Sequence, residues 1–312
     1  MPVTELVRSL GSDNEFSRCI AHIEVIPARA PEYGSLSPSL PALLSRVLER
    51  KGIVPYTHQC EAIRAVRSGK DIIVSTSTAS GKTLAFSLPI FEYLYSDPDA
   101  TALYLYPTKA LSRDQLKSMV VLEKETSIIL HPAIYDGDTP QDKRPAIRER
   151  SRIVLSNPFE LHQILPWHHL WTRFFKNLRF VVIDEAHLYR GVFGSHVALL
   201  LRRLRRVCAH YGADPRFILA TATLANPETF AERLTGRRTH LISKDGAPHG
   251  EKQFLLYNPF FDGPGTRSMH RETALLLRAC IRHDLQTICF TGSRKLTELV
   301  ALWTKDEMIK DR

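Results

Sequence analysis

A stretch of small residues ends in Gly81-Lys82-Thr83 and has the residue types that hold a nucleotide phosphate. The phosphate-loop pattern is glycine, four residues and then Gly-Lys-Ser/Thr; here Thr76 replaces its first glycine. Small residues let backbone N–H groups surround phosphates, and the N-terminus of a following helix adds a favourable dipole. We expect Lys82 to contact the β- and γ-phosphates of ATP and the Thr83 hydroxyl to hold Mg²⁺, with an ordinary turn as the alternative. The predicted ATP-binding residues of this loop are Thr78, Ala79, Ser80, Gly81, Lys82 and Thr83.

Two carboxylates, Asp184 and Glu185, directly follow the apolar run Val181-Val182-Ile183. Where a strand leads into paired carboxylates beside a phosphate loop, the first carboxylate can hold Mg²⁺. The second can orient and deprotonate the attacking water, as a general base must. The alternative, an exposed acidic turn after a buried strand, is disfavoured by the phosphate loop earlier in the chain. Lys82, Asp184 and Glu185 are the predicted catalytic residues.

These motifs must be positioned by short apolar runs that alternate with helical stretches. Each run is rich in Ile, Val, Leu or Tyr and is too short to be a helix, which indicates buried strands of a parallel sheet. Ligands bind at the carboxyl ends of such strands, where the motifs stand. Thr221 and Thr223 end the last run and could either cap a helix or hydrogen-bond the acidic pair. The predicted strands span residues 71–75, 102–106, 128–135, 152–156, 179–184 and 217–221.

The domain organisation follows from where these patterns begin and end. The fold class is α/β, with one parallel sheet covered by helices on both faces and the start of a second such unit. That second unit is expected to begin with a helix over 268–283 and a strand over 286–291. The predicted parts are an N-terminal arm at 1–44, an ATP-binding domain at 45–243, a linker at 244–265 and the incomplete second domain at 266–312.

The chain carries a net charge of +9, which fits a polyanionic partner such as nucleic acid or an anionic membrane surface. The five cysteines include no C-x-x-C pair, and reduced thiols in a cytoplasmic compartment are the simplest interpretation. The most apolar stretch, 84–95, is short and contains Pro89 and Glu92, so it predicts a core helix and no membrane span. Four arginines on one helix, which could face phosphates or solvent, are Arg202, Arg203, Arg205 and Arg206.

The ordered motifs resemble those of superfamily 2 DEAD/DEAH-box helicases with RecA-like domains. They are Gln59, Ala79-Ser80-Gly81-Lys82-Thr83, Pro107-Thr108-Lys109-Ala110-Leu111, Asp184-Glu185-Ala186-His187 and Thr221-Ala222-Thr223. Finer features look like the bacterial mitomycin-repair helicases and their fungal RecQ-related counterparts, which act on DNA and carry a C-terminal zinc domain. These features are Tyr56-Thr57-His58-Gln59, Tyr135-Asp136-Gly137-Asp138-Thr139-Pro140, Ser156-Asn157-Pro158 and the stretch 189–196.

The resemblance implies an ATP-dependent DNA helicase or translocase that works in DNA repair and binds a single strand. Gln59 would contact adenine, while Tyr33 could stack on adenine or pack on the core. His187, Thr221 and Thr223 would couple hydrolysis to strand movement. The implied nucleic-acid contacts are Pro107, Thr108, Lys109, Gly137, Asp138, Thr139, Asn157, Pro158, Thr291 and Arg294.

The chain departs from the family pattern because it contains no Gln-x-x-Gly-Arg-x-Gly-Arg stretch and no zinc-domain cysteines. In related enzymes an arginine finger raises the hydrolysis rate by orders of magnitude. The chain is therefore expected to be truncated, and one alternative function is an ATP- and nucleic-acid-binding module with negligible turnover. A motor that acts on protein is a second alternative, against which the basic charge and the predicted nucleic-acid contacts argue.

Overall fold

The computed structural model describes residues 2–261 and 268–310. The chain divides into two compact units. The large unit is Ala30–Pro248, and the small unit combines Met1–Arg29 with His249–Arg312. No helix among the described residues is long and apolar enough to cross a membrane.

The strands form one seven-stranded sheet in the large unit and one strand pair in the small unit. The large sheet has the order β4-β5-β3-β6-β7-β2-β8, and all its pairings are parallel. In the small unit β1 and β9 pair antiparallel. The strands are β1 (Ile20–Ile26), β2 (Ile72–Ser75), β3 (Thr101–Leu105), β4 (Ala133–Ile134), β5 (Ile153–Ser156), β6 (Leu178–Ile183), β7 (Arg216–Thr221), β8 (His240–Ile242) and β9 (Lys252–Tyr257).

The large sheet is buried on both faces, which explains why its strands read as continuous apolar runs. Along β2, Ile72 and Val74 belong to one core cluster and Ile73 to the other, as the alternation of strand side chains requires. The predicted α/β class with a RecA-like parallel sheet is confirmed. The helices are α1 (Pro2–Ser12), α2 (Asn14–Ser17), α3 (Ala42–Arg50), α4 (Thr57–Arg67), α5 (Lys82–Ser96), α6 (Lys109–Thr126), α7 (Arg144–Arg150), α8 (Pro158–Ile164), α9 (Thr172–Lys176), α10 (Gly191–His210), α11 (Pro227–Thr235), α12 (Met269–Arg282) and α13 (Arg294–Lys310).

The strand predicted over 128–135 is much shorter in the structure, where β4 is Ala133–Ile134. The backbone N–H groups of Leu130 and His131 donate to Glu123 Oε1, at 2.7 Å each, instead of to a neighbouring strand. A positive φ of 46° at His131 turns the chain at the same place. A side chain from α6 therefore takes the hydrogen bonds that a longer β4 would need.

The outer parts of the chain also differ from the sequence predictions. The arm predicted at 1–44 contains α1 and β1, and the linker predicted at 244–265 contains β9. β1 and β9 are far apart in sequence and pair with each other, so neither could be recognised from its own neighbourhood. The strand predicted at 286–291 pairs with no strand among the described residues, whereas the helix predicted at 268–283 is present as α12. Residues 262–267, which include the end of the predicted linker, and 311–312 lie outside the described residues.

Candidate nucleotide and nucleic-acid site

Three predicted motifs meet at one end of the large sheet. The phosphate loop follows β2, the Thr221–Thr223 segment follows β7, and the acidic pair follows β6. Because β6, β7 and β2 are neighbours and parallel, their carboxyl ends bring the three loops together. The sheet topology thus brings the phosphate loop close to two motifs that lie about a hundred or more residues later in the chain.

The phosphate loop is closed around the Lys82 ammonium group. Lys82 Nζ donates to the carbonyl oxygens of Thr76 at 3.2 Å and Ser77 at 2.7 Å. Gly81 adopts a φ of 81°, and a Cβ at this position would lie 2.5 Å from Gln59 Nε2. Only glycine satisfies both conditions. Thr76, at the position where the pattern has glycine, is buried and its hydroxyl hydrogen-bonds Ser80 Oγ at 2.7 Å.

A carboxylate that the sequence did not single out lies against this loop. Asp245 Oδ2 accepts from the Ser77 backbone N–H at 3.2 Å and also from the Ser77 hydroxyl. Its charge acts on Lys82 as well, where it works to raise the pKa. The Asp245-Gly246 pair signals a turn in sequence, and only the path of the chain after β8 brings the carboxylate to the phosphate loop.

The acidic pair is held by an unusual backbone geometry. Glu185 adopts a φ of 48°, and its N–H donates to Asp184 Oδ1 at 2.8 Å. Left-handed backbone at a residue other than glycine is costly and is found at functional sites. Burial raises the pKa of Asp184 to about 6, with the Glu185 charge also raising it and the Glu185 N–H and Lys82 lowering it. Burial lowers the pKa of Lys82, and the charges of Glu185 and Asp184 oppose that change.

His187 connects the acidic pair to the end of β7. The Ala222 N–H donates to His187 Nδ1 at 3.3 Å. Glu185 Oε2 lies 3.4 Å from the same nitrogen, so His187 is next to both the acidic pair and the end of β7. Thr221 is buried, and its hydroxyl has no hydrogen-bond partner within the described part of the chain, whereas Thr223 is exposed.

A cavity of about 530 Å³ adjoins the phosphate loop and is lined by Tyr33, Tyr56, Gln59, Gly81 and Thr83 among others. Tyr33 stacks on Tyr56 with ring centroids 5.6 Å apart, and the Tyr33 ring is 56% exposed. Gln59 Oε1 accepts from the Tyr56 N–H at 2.9 Å, and Gln59 Nε2 donates to the Gly81 carbonyl at 3.0 Å. Gln59 therefore ties α4 to the phosphate loop at the wall of a cavity large enough for a small-molecule ligand.

The predicted nucleic-acid contacts of the large unit lie at the other half of the same sheet edge, after β3, β5 and β4. Lys109 Nζ pairs with Asp138 Oδ1 at 2.6 Å, and Arg113 pairs with Asp138 Oδ2 at 3.0 Å. All three side chains are exposed. Here the structure brings together Pro107, Thr108 and Lys109 after β3, Gly137, Asp138 and Thr139 after β4, and Asn157 and Pro158 after β5.

Arg144 holds two of these loops together. Its guanidinium lies 4.7 Å from the centroid of the Tyr135 ring and donates to the carbonyl of Asp136 at 3.0 Å. It also pairs with Glu160 of α8 at 3.3 Å. Asn157 begins α8 as its N-cap, since Asn157 Oδ1 accepts from the Glu160 N–H at 2.9 Å. Sequence reasoning missed Arg144, whose position in a helical stretch carried no motif.

Thr291 and Arg294 belong to the small unit, so their predicted nucleic-acid role stays a prediction. Two of the four arginines of α10 cap a neighbouring helix instead of facing phosphates. Arg202 donates to the carbonyls of Arg233 and Leu234, and Arg205 to those of Thr235 and Gly236. Carbonyls at a helix C-terminus lack intrahelical partners, which is why arginines are stable there.

Comparison with known proteins gives a consistent result. The sequence profile of the DEAD/DEAH box helicases matches residues 56–230. The uncharacterized ATP-dependent helicase YprA of Bacillus subtilis is 40% identical over 304 residues, covering 96% of this chain and 40% of that protein. The ATP-dependent helicase HRQ1 of Saccharomyces cerevisiae is 34% identical over 307 residues, covering 96% of this chain and 28% of that protein. The crystal structure of the DUF1998 helicase MrfA bound to DNA and AMPPNP superimposes with a TM-score of 0.91 at 39% identity, covering 97% of this chain and 42% of MrfA. The chain therefore spans less than half the length of these relatives.

Proposed function

The chain belongs to the DEAD/DEAH box helicase family, and from that premise we propose that it couples ATP hydrolysis to movement along DNA. The observation that carries the proposal is the meeting of the phosphate loop, the acidic pair and the Thr221–Thr223 segment on three adjacent parallel strands. The choice of DNA rests on MrfA, whose solved complex contains DNA and a nucleotide analogue. A role in DNA repair and the assignment of 266–312 to a second RecA-like domain rest on the sequence resemblance.

In the proposed reaction water attacks the γ-phosphate of ATP in line, the bond from the γ-phosphorus to the bridging oxygen breaks, and ADP and phosphate are the products. Backbone N–H groups of 78–83 surround the phosphates, and Lys82 leaves the carbonyls of Thr76 and Ser77 to contact the β- and γ-phosphates. Glu185 orients the water and takes its proton. His187 links the acidic pair to the Thr221–Thr223 segment, because it accepts a hydrogen bond from the Ala222 N–H. A structural change at the acidic pair during hydrolysis would reach Thr221 and Thr223 through this link. Gln59 and Tyr33 line the cavity that would receive adenine.

Mg²⁺ is the proposed metal, with Thr83 and Asp184 as its protein ligands. The fit rests on Asp184, a carboxylate that is only 6% exposed and has a raised pKa, so it gains much from a neighbouring cation. Mg²⁺ prefers one or two oxygen ligands from the protein together with phosphate oxygens and water. When bound, the ion would neutralise charge that develops on the transferred phosphoryl group.

The proposed partner is a single DNA strand, contacted through its backbone. Lys109 and the loops around Gly137 and Asn157 form one surface after β3, β4 and β5, which we call the backbone track. Contacts to phosphates position a strand without reading its sequence. We also propose a cytoplasmic location, which the free thiols of Cys60, Cys208, Cys280 and Cys289 support.

A second candidate is binding of ATP and DNA with negligible turnover by these 312 residues. The favouring observation is that the sequence contains no Gln-x-x-Gly-Arg-x-Gly-Arg stretch to supply arginine fingers. The discriminating measurement is steady-state ATP hydrolysis by the chain with and without single-stranded DNA. Turnover that DNA stimulates supports the motor, whereas nucleotide binding without turnover supports the second candidate.

The decisive variant is Glu185→Gln, which keeps the shape of the side chain and removes the base. We expect the nucleotide dissociation constant to stay within about threefold of the parent value, while hydrolysis falls by at least a hundredfold, within the range assigned to a general base. Lys82→Ala is the matched comparison, because it should remove binding itself. Parent-like hydrolysis by Glu185→Gln would remove Glu185 from the proposed reaction.

A further inference from the structure

An apolar groove opens between α8 and the first turns of α10. It has a volume of about 330 Å³, and its lining includes Pro158, Phe159, His162, Phe193, His196 and Arg203. Two aromatic rings in this lining face solvent, since Phe159 is 72% exposed and Phe193 is 52% exposed. Exposed apolar groups gathered in one concave place indicate a binding surface.

The fold positions both aromatic residues of this groove before any ligand arrives. Phe193 contacts the buried ring of Tyr189, with centroids 5.6 Å apart. A Cβ on Gly194 would lie 2.3 Å from the Tyr189 carbonyl oxygen, so glycine is required for this close approach of the chain to α10. Phe159 is the second residue of α8, whose start is fixed by the Asn157 cap. Binding would therefore require little reordering of the Phe193 ring or of the backbone that carries Phe159.

The charges around the groove select the class of ligand. Every ionisable side chain in its lining is of a basic type, and none is a carboxylate. Arg203 Nη1 donates to His162 Nδ1 at 3.0 Å, which keeps the guanidinium at the groove wall. Aromatic faces combined with cationic groups are the features that bind unpaired nucleic acid, because bases stack on the rings while phosphates meet the cations. Pro158, which follows Asn157 on the backbone track, also lines the groove.

From these observations we propose that the groove is a stacking site for a base of the single strand, with Phe159 and Phe193 as the stacking residues. The inference rests on the proposed function and adds to it. The backbone track holds phosphates without regard to bases, and the groove holds a base of any sequence through its π face. A base held in this way would keep the strand from slipping while Lys109 and the neighbouring loops release one set of phosphates and bind the next.

The test compares strands that carry bases with strands that do not. Dissociation constants of the 312-residue chain are measured by fluorescence anisotropy for a labelled oligodeoxythymidine and for an abasic strand of the same length. We expect Phe159→Ala and Phe193→Ala to weaken binding of the thymidine strand by about tenfold or more each, in the range for loss of one stacked base. The abasic strand should bind both variants as it binds the parent, and the salt dependence should be unchanged because neither residue carries charge.

Two controls keep the result specific. Val192→Ala removes a side chain that is 77% exposed on the same turn but lies outside the groove lining, and it should bind both strands like the parent. Phe159→Trp should bind the thymidine strand about as tightly as the parent, whereas Phe159→Leu should bind it as weakly as Phe159→Ala. Parent-like binding of the thymidine strand by both alanine variants, or equal losses on both strands, would overturn the stacking site. Failure of the parent chain to bind any strand would instead overturn the proposed function.

Discussion

The two halves of the large sheet's edge differ in how their charged groups are held. After β2, β6 and β7 the ionisable groups are partly or wholly buried, and burial changes the pKa of both Lys82 and Asp184. After β3, β4 and β5 the charged groups Lys109, Arg113 and Asp138 are exposed and paired with one another, and the more buried Arg144–Glu160 pair holds the loops beneath them. Buried charges interact strongly with a small ligand, whereas exposed ones give weaker contacts that salt screens.

This difference indicates that the two halves of the edge make charged contacts of different strength with their ligands. A phosphate that enters the loop after β2 meets N–H groups, a helix start and an ammonium group that has already lost part of its hydration. A strand that lies on the backbone track meets groups that can exchange partners with water. Binding at the first half should therefore be tight and position-specific, and binding at the second half should be weak enough to release and re-form.

The largest expected effect comes from Lys82→Ala. At a nucleotide concentration of 100 times the dissociation constant, binding stabilises a folded protein by about 2.7 kcal/mol. We expect Mg²⁺-ATP to raise the melting temperature of the parent chain and to leave that of Lys82→Ala unchanged. Thermal melting with and without nucleotide measures this, and Lys109→Ala is the control, because it should melt like the parent with nucleotide. An equal nucleotide shift in both variants would contradict the contrast between the two halves.

The second effect concerns the burial of Asp184. Its folded pKa of about 6 lies above the unfolded value, so the folded chain binds this proton more tightly than the unfolded chain. The protonated Asp184 carboxyl therefore adds to the free energy of unfolding at low pH. This contribution is lost as the pH rises through 6. Asp184→Asn should therefore stabilise the metal-free chain by about 1–3 kcal/mol at pH 7.

That gain should shrink as the pH falls below 6 and should vanish near pH 4, where the parent carboxyl is also neutral. The measurement is urea unfolding of both proteins in EDTA across this pH range. The difference between the proteins isolates Asp184, since every other carboxylate titrates in both. A variant that is less stable than the parent at pH 7 would show that the Asp184 charge is compensated in the folded state.

The third effect tests whether Asp245 competes with phosphates. Its carboxylate accepts from the Ser77 N–H, a group of the phosphate loop, and brings a negative charge to the proposed phosphate site. Asp245→Asn should keep a hydrogen bond to Ser77 and remove the repulsion, so the dissociation constant for Mg²⁺-free ADP should fall about threefold to tenfold. Isothermal titration at two salt concentrations measures it, and weaker ADP binding by the variant would mean that Asp245 supports the loop.

The smallest effect belongs to the backbone track. Lys109→Ala should flatten the dependence of log affinity on log salt by less than one unit and should weaken all sequences alike, because the contact proposed for Lys109 is with a phosphate and not with a base edge. Asp138→Asn should act in the opposite direction and strengthen strand binding about twofold, since Lys109 and Arg113 lose an acidic competitor. Anisotropy titrations over a salt series measure both variants, and sequence-dependent losses would contradict a backbone contact.

Much of the site could be predicted from local sequence because its chemistry demands particular residues in a row. Small residues before Lys82 and an apolar run before Asp184 are visible within eight residues of each group. The pairing of β1 with β9 was not predictable in this way, because a strand is stabilised mainly by a partner that the local sequence does not contain. The short length of β4 was also not predictable. It depends on Glu123, a residue of α6 that accepts hydrogen bonds from the Leu130 and His131 N–H groups.

The sequence by itself determined the α/β class, the position of the proposed phosphate loop and the order of the acidic pair and hydroxyl segment along the chain. Residue type and spacing suffice there, because backbone geometry and side-chain chemistry act over a few residues. Only the tertiary structure decided that Asp245 contacts Ser77, that Arg202 and Arg205 cap α11, and that Phe159 and Phe193 share one groove. Each of these contacts joins residues at least 30 positions apart. Their distance in space depends on how the elements pack and not on any pattern that a segment carries alone.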